Sequence, residues 1–271
     1  MKASQNPARG SLFSKGDLAF AIIVCVAMSF GFLTIPNHNK STPSRGSAPA
    51  SGSLSGTVRF TGPSPKEPRA DAAAFGMCGK THSYDRLSIG SDRGVEYTLI
   101  YIANPPAGRA NFPALTISQK GCGYTPHMSI ATRGSSVTFL NDDQGLHNVH
   151  GYYTSGSERS TLFNFAQPTQ GMKTEQQLRK AGMVNVQCDV HAWMNAWIWV
   201  TDNPYCAVTK ADGSYSIDGL PPGTYKLIMW HEGWKMEPSN GGRPEFSGAV
   251  VEQKDVTVPA TGEATADFEL K

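Results

Sequence analysis

Val186–Val200, VQCDVHAWMNAWIWV, is the stretch on which the rest of the chain turns. It presents Cys188, then His191 three residues on, then Met194 three residues further. A thiolate, an imidazole and a thioether from one tight loop form a soft-to-borderline ligand set suited to copper. Such a set needs a second imidazole from elsewhere. The upstream segment NDDQGLHNVH offers His147 and His150. On a strand these two point to opposite faces, because side chains alternate with period two. In a loop both could reach one metal.

Moving outward, the chain has 271 residues and a formal net charge of +2. That length fits one large or two small domains, and the near-neutral balance excludes a nucleic-acid footprint. The five cysteines are Cys25, Cys78, Cys122, Cys188 and Cys206. They form no CxxC pair, so zinc-ribbon and thioredoxin readings fall away. The odd count fits one metal-bound thiolate plus a disulfide.

Leu18 to Ile35 carries no charged residue and is closed by Pro36. As a helix it spans about 27 Å, just enough for a bilayer core. Lys2, Arg9 and Lys15 precede it, which keeps the N-terminus inside and exports the rest. An uncleaved signal-anchor is expected rather than a cleaved signal, since the apolar run is long and Ala-Pro-Ala at 48–50 is a weak, distant cleavage site. Either way the remaining chain is extracytoplasmic, where disulfides are permitted. Asn37 to Ser55 is rich in Ser, Pro, Gly and Ala and reads as a flexible tether.

From Leu54 onward the chain alternates short β-type runs with Gly, Pro, Asn and Asp: SGTVRF, EYTLIYIA, ALTISQ, SSVTFLN, VNVQC, AWIWV, SYSID, TYKLIMW, DVTV. An all-β sandwich architecture follows. Thr174 to Ala181 alone has a helix-like composition. Asp212-Gly213 between AVTK and SYSID reads as a hairpin turn, and LPPGTY as the next turn.

Two resemblances cover most of the exported chain. YTPHMSIATRGSSVTFLNDDQGLHNVH resembles the first half of a cupredoxin, and CDVHAWM resembles the short Cys-x-x-His-x-x-Met ligand loop of amicyanin-like members. The two stand in the right order, about forty residues apart. GTVRFTG, together with AVTKADGSYSIDGLPPGTYKLIMWHEGW and the C-terminal VTVPATGEATADFEL, resembles a carboxypeptidase-regulatory-like (transthyretin-like) sandwich. The resemblances imply an all-β protein: a cupredoxin Greek-key sandwich plus a small transthyretin-like sandwich, with an N-terminal transmembrane signal-anchor. The expected division is a cytoplasmic N-terminus (1–17), the anchor (18–36), a flexible linker (37–54), a lead-in β segment (55–112), a cupredoxin domain (113–203) and a carboxypeptidase-regulatory-like domain (204–271). Whether the lead-in strands belong to the first or the second sandwich, making the domains sequential or one inserted in the other, stays open.

The cupredoxin resemblance implies one mononuclear type 1 copper held by His147, Cys188, His191 and an axial Met194, a set that tolerates both copper states. It places Asn148 where its side chain ties the first ligand segment to the cysteine loop. His150 is a candidate extra ligand. The bland alternative for each is core packing, which is usual for a lone buried Cys or Met. Cys78 and Cys122 are a candidate disulfide; CGKTH, with Cys78 and His82, is a weak second-metal pattern. His127 reads as structural or surface, and Cys206 as an unpaired structural thiol. Trp193 is either part of an apolar patch where a redox partner docks or core, and Trp197 and Trp199 are expected in the sandwich core.

The leading expectation is a membrane-tethered, extracytoplasmic electron carrier with a redox protein partner, and not an enzyme. The alternative is a non-redox interaction or envelope-binding protein. His-x-His clusters for a multicopper oxidase are absent from the sequence, WHEGW lacks the second histidine of a zinc peptidase, and no nucleophile elbow or phosphate loop occurs.

Overall fold

The computed structural model of the chain describes residues 51–156, 158–239 and 243–271. The expected membrane helix, with Cys25, lies outside them. Among the described residues no helix is long and apolar enough to cross a membrane. The linker expected through residue 54 gives way to β1, Gly52–Phe60, whose Leu54 is already buried.

After β1 comes a small hairpin of β2 (Arg69–Asp71) and β3 (Thr81–Ser83), with a 3-10 segment Ala73–Cys78 between them, and then β4 (Leu99–Ile102). There follow β5 (Leu115–Lys120), β6 (Gly123–Thr125), β7 (Met128–Thr132), β8 (Ser136–Asn141) and β9 (His147–Ser155). Next are β10 (Glu158–Gln167), β11 (Lys173–Gln177), β12 (Gly182–Gln187) and β13 (Asn195–Thr201). The chain closes with β14 (Cys206–Val208), β15 (Ser214–Leu220), β16 (Gly223–His231), the short pair β17 (Met236–Glu237) and β18 (Glu245–Phe246), then β19 (Val250–Val258), β20 (Glu263–Thr265) and β21 (Phe268–Leu270).

The middle strands build one sandwich. A sheet of order β10-β9-β12-β13-β7 faces another of order β11-β8-β5-β6. Ile117, Val137 and Phe139 from the smaller sheet share a core with Val149, Val184, Val186, Ala196 and Ile198 from the larger. The alternation within each strand selects these residues, since successive side chains leave opposite faces. Gly151 sits on the inner face of β9 without a side chain because the Phe163 ring crosses there; a Cβ would lie 2.2 Å from it.

The outer strands build the second sandwich. β15-β1-β20, with β21 also on β1, faces β14-β4-β16-β19. Leu54, Val58, Ile217 and Phe268 meet Ile100, Ile102, Leu227, Met229 and Val256 in its core. Both lead-in strands, β1 and β4, therefore pair with C-terminal strands, and the first sandwich is inserted between β4 and β14. The chain leaves and re-enters side by side: Cys206 pairs with Tyr101 and Val208 with Leu99.

The two sandwiches pack through outward-facing aromatics. Trp197 and Trp199 of β13 meet Tyr101 and Trp230, with Leu99, Met128 and Met183 buried beside them. Ring centroids lie 5.0 Å apart for Trp197–Trp230 and 4.9 Å for Tyr101–Trp199. Trp197 and Trp199, expected inside a sandwich, thus lie between two sandwiches; the inner positions of β13 belong to Ala196, Ile198 and Val200.

Two local expectations are also corrected. The helix-like 174–181 holds no helix and its first half is strand: β11 pairs with β8 from Lys173 to Gln177. So short a stretch cannot sustain a helix by propensity alone, and sheet pairing overrides it. The Asp212-Gly213 turn forms, with Gly213 at φ +78 and Gly213 N–H donating to Lys210 O at 2.8 Å. It does not join a hairpin, because β14 and β15 enter different sheets.

Candidate metal centre

β12 delivers the sulfur. Val184 and Val186 point into the first core, and the same parity carries Cys188, at the strand end, inward. The turn after it is closed by Cys188 N–H to Met194 O at 3.4 Å and Met194 N–H to His191 O at 3.0 Å. This folds His191 and Met194 back into the same core, both almost fully buried. β9 delivers His147 from its inner face, also fully buried.

The donor atoms converge. His147 Nδ1 lies 3.1 Å from His191 Nδ1, and Cys188 Sγ lies 3.6 Å from His191 Nδ1. His147, Cys188 and His191 place their ligand atoms within 4.8 Å of one another. A first-row ion about 2.1 Å from nitrogen and about 2.3 Å from sulfur needs N···N of about 3.3–3.6 Å and S···N of about 3.5–3.8 Å at tetrahedral to trigonal angles. The His191–Cys188 spacing already meets this requirement, and the His147–His191 spacing meets it with a shift of a few tenths of an ångström. A second trio, Cys122, Asp143 and His147, lacks a thiolate because Cys122 is disulfide-bonded.

The surroundings orient the donors. Asp143 Oδ2 accepts from His147 Nε2 at 2.9 Å, which leaves the Nδ1 lone pair facing the His191 Nδ1 atom. The same carboxylate accepts the N–H of Cys122 and of Gly121, each at 2.8 Å. Burial opposes its ionisation, but these donors and the imidazole outweigh burial and its pKa is lowered. Asn148 links the two ligand segments: its N–H points at Cys188 Sγ at 3.4 Å and its Oδ1 accepts from Asp189 N–H at 3.1 Å. Tyr124 donates to Asn148 O at 2.6 Å. Arg243 donates to Ala192 O at 2.8 Å and to Cys188 O.

Burial pushes the Cys188 thiol up, an effect only partly offset by the N–H groups of Asn148, His191 and Val190. Burial and the nearby His147 push His191 down to about 4. The imidazole is therefore neutral and able to ligate, while the thiol must give up its proton to bind metal.

His150 does not join the trio. Standing three positions from His147 on a strand, it leaves the outer face. There Asp189 Oδ2 holds its Nδ1 at 2.9 Å, Thr161 Oγ1 lies 3.0 Å from its Nε2, and Tyr152 stacks on the ring at 4.0 Å. Trp193 offers no exposed docking surface. It is 4 % exposed, donates to Cys122 O at 2.9 Å and is sandwiched by His82 at 5.4 Å and Phe75 at 5.6 Å. The β2–β3 hairpin covers it, tied down by the Cys78–Cys122 disulfide. Phe75 from this strap also meets the His191 ring at 4.7 Å, leaving that histidine 1 % exposed.

The CGKTH pattern holds no second metal trio: Cys78 is oxidised and His82 Nε2 contacts Gly121 O at 2.9 Å. Cys206 is free and buried. His127 is buried and hydrogen-bonded through Nε2 to Glu232 Oε1. Glu232 also accepts from Arg86 at 2.5 Å, and from Asn195 and Trp197 at 2.9 Å each. Asp143, Phe75 and Arg243 were missing from the sequence-based site. Asp143 alone had a local signal, a carboxylate four residues before a candidate ligand histidine.

Fold and site together describe a buried cluster of two histidines and a cysteine in one sandwich of a nearly all-β chain. Among solved structures, the chain is similar to a purple cupredoxin from Nitrosopumilus maritimus, at 22 % identity and a TM-score of 0.29, over 32 % of this chain and 99 % of that one. It is also similar to an amicyanin variant in the reduced state, at 18 % identity and a TM-score of 0.29, over 38 % and 98 %. A copper-containing nitrite reductase from Thermus scotoductus matches at 22 % identity and a TM-score of 0.28, over 36 % of this chain and 25 % of its own. No family model matches the chain, and no curated protein matches it.

Proposed function

We propose that the chain is a membrane-tethered, extracytoplasmic copper protein that carries single electrons through one type 1 site, with His147, Cys188 and His191 as ligands and Met194 as the axial one. The convergence of the three buried donor atoms carries this proposal. Bound copper would supply reversible one-electron chemistry between its two oxidation states. Asp143 holds the His147 tautomer, Asn148 and the Met194 turn hold the cysteine loop, and the strap under Phe75 keeps water from the His191 ring. A site fixed in this way rearranges little when charge changes. The second sandwich, with its resemblance to carboxypeptidase-regulatory-like modules, is a non-catalytic element for positioning or partner contact. The anchor at 18–36 would hold both at the outer membrane face.

Metal content and the visible spectrum of the purified chain test this. Stoichiometric copper with an intense visible charge-transfer band is expected, both lost in Cys188→Ser. A colourless chain that keeps no copper removes the proposal. A non-redox interaction protein is the second reading, favoured by the cover of Phe75 over the His191 ring edge. Capture of the same partner by wild type and Cys188→Ser alike would select it.

A further inference from the structure

Where the two sandwiches meet, a cavity of about 700 Å3 opens between the outer face of β12–β13 and the segment around β16–β18. Its size and its place at a domain junction suit a small-molecule site. Its lining is unusual for the outside of a sandwich. Asn185 and Gln187, on the outward face of β12, are only 3 % and 7 % exposed. Both receive Arg159, whose Nη2 lies 3.2 Å from Gln187 Oε1 and 3.5 Å from Asn185 Oδ1. The Arg159 guanidinium lies 4.0 Å over the Tyr152 ring.

Arg243 lines the same cavity and donates to the carbonyls of Ala192 and Cys188. Among the described residues neither Arg159 nor Arg243 has a carboxylate within ion-pair distance. Both guanidiniums are held by neutral acceptors, and each carries five N–H donors. The third arginine, Arg86, is spent on Glu232. Glu232 is itself consumed by His127, Asn195 and Trp197. Glu245, exposed on the rim, is the remaining lining carboxylate. Trp197 and Trp230 form the apolar wall.

The geometry points to a binding site for a small ring-bearing carboxylate. The carboxylate sits between Arg159 and Arg243, where charge-assisted and bidentate bonds are strongest, and the ring lies against the tryptophan wall. Benzoate and D-glucuronate carry this chemistry from two sources, an aromatic acid and an anionic sugar. Benzyl alcohol and glucose are their neutral counterparts.

Titration of the full chain, followed by tryptophan fluorescence, tests the site. A saturable change with at least one acid is expected, with none from the neutral compounds. Affinity should fall about tenfold or more in Arg159→Gln, the loss of one charge-assisted contact. The acid that saturates identifies the source, and saturation by both assigns the wider class. Absence of saturation by either acid overturns the site. So does equal binding by the neutral compounds, or undiminished binding by Arg159→Gln.

Discussion

Replacing Asp143 by Asn keeps the shape of the side chain and removes its charge and one acceptor oxygen. In the native site one carboxylate serves three N–H groups: Gly121, Cys122 and His147 Nε2. If the new amide oxygen faces His147, its NH2 confronts the Gly121 N–H at the exposed side, where water can serve. If the amide is reversed, NH2 confronts the imidazole N–H, and His147 must move its proton to Nδ1, the atom that faces His191 Nδ1 in the donor trio. In either arrangement charge-assisted bonds worth about 1.5–3 kcal/mol become neutral ones worth about 0.5–1.5 kcal/mol. The expected loss is about 1–2 kcal/mol of apo stability. Copper affinity should fall about 10–100-fold, as when the outer partner of a ligand histidine is removed. Competition against a chelator of known affinity measures the second quantity, and urea denaturation of the apo chain the first. Copper affinity within about twofold of wild type, alongside reduced stability, would make Asp143 a mere loop brace and refute the tautomer argument.

The Cys78–Cys122 bridge closes a loop of sequence separation 44, for which chain entropy predicts about 4 kcal/mol. The double alanine variant should lose most of that in urea denaturation, and a loss below about 0.5 kcal/mol would show that the strap needs no tether. His231 is buried, donates from Nδ1 to Glu232 O at 2.6 Å, and is pushed down to about 4, chiefly by burial. The unfolded chain takes up this proton near pH 6.5 and the folded chain only near 4, so stability is complete above about pH 6.5 and falls as pH drops toward 4. The shift corresponds to about 3 kcal/mol. Comparing urea midpoints of the apo chain at pH 7 and pH 5 should show the decline, and His231→Gln should roughly halve it, because His191 is pushed down over the same range; an equally steep decline in that variant would assign the effect to other groups.

Strand-rich character was legible in the sequence because alternation and turn residues are local signals. Spacing alone set Cys188, His191 and Met194 in one turn, whereas period two separated His147 from His150 only once their segment formed β9 rather than a loop. Thr174 to Ala181 misled because its Glu and Gln favour a helix in isolation, while pairing with β8 belongs to the whole sheet. Trp197 and Trp199 were placed on one face, but whether that face looks into a core or toward a second sandwich is not written in β13. The same holds for β1 and β4, which suit either sandwich until β15, β16, β20 and β21 arrive as partners. The Phe75 cover likewise comes from a chain segment whose own residues do not say what they will touch, whereas Asp143 carried the one local hint, its spacing from His147. A strand's composition determines that it will pair and which face is apolar; long-range packing, which no local pattern encodes, decides with whom.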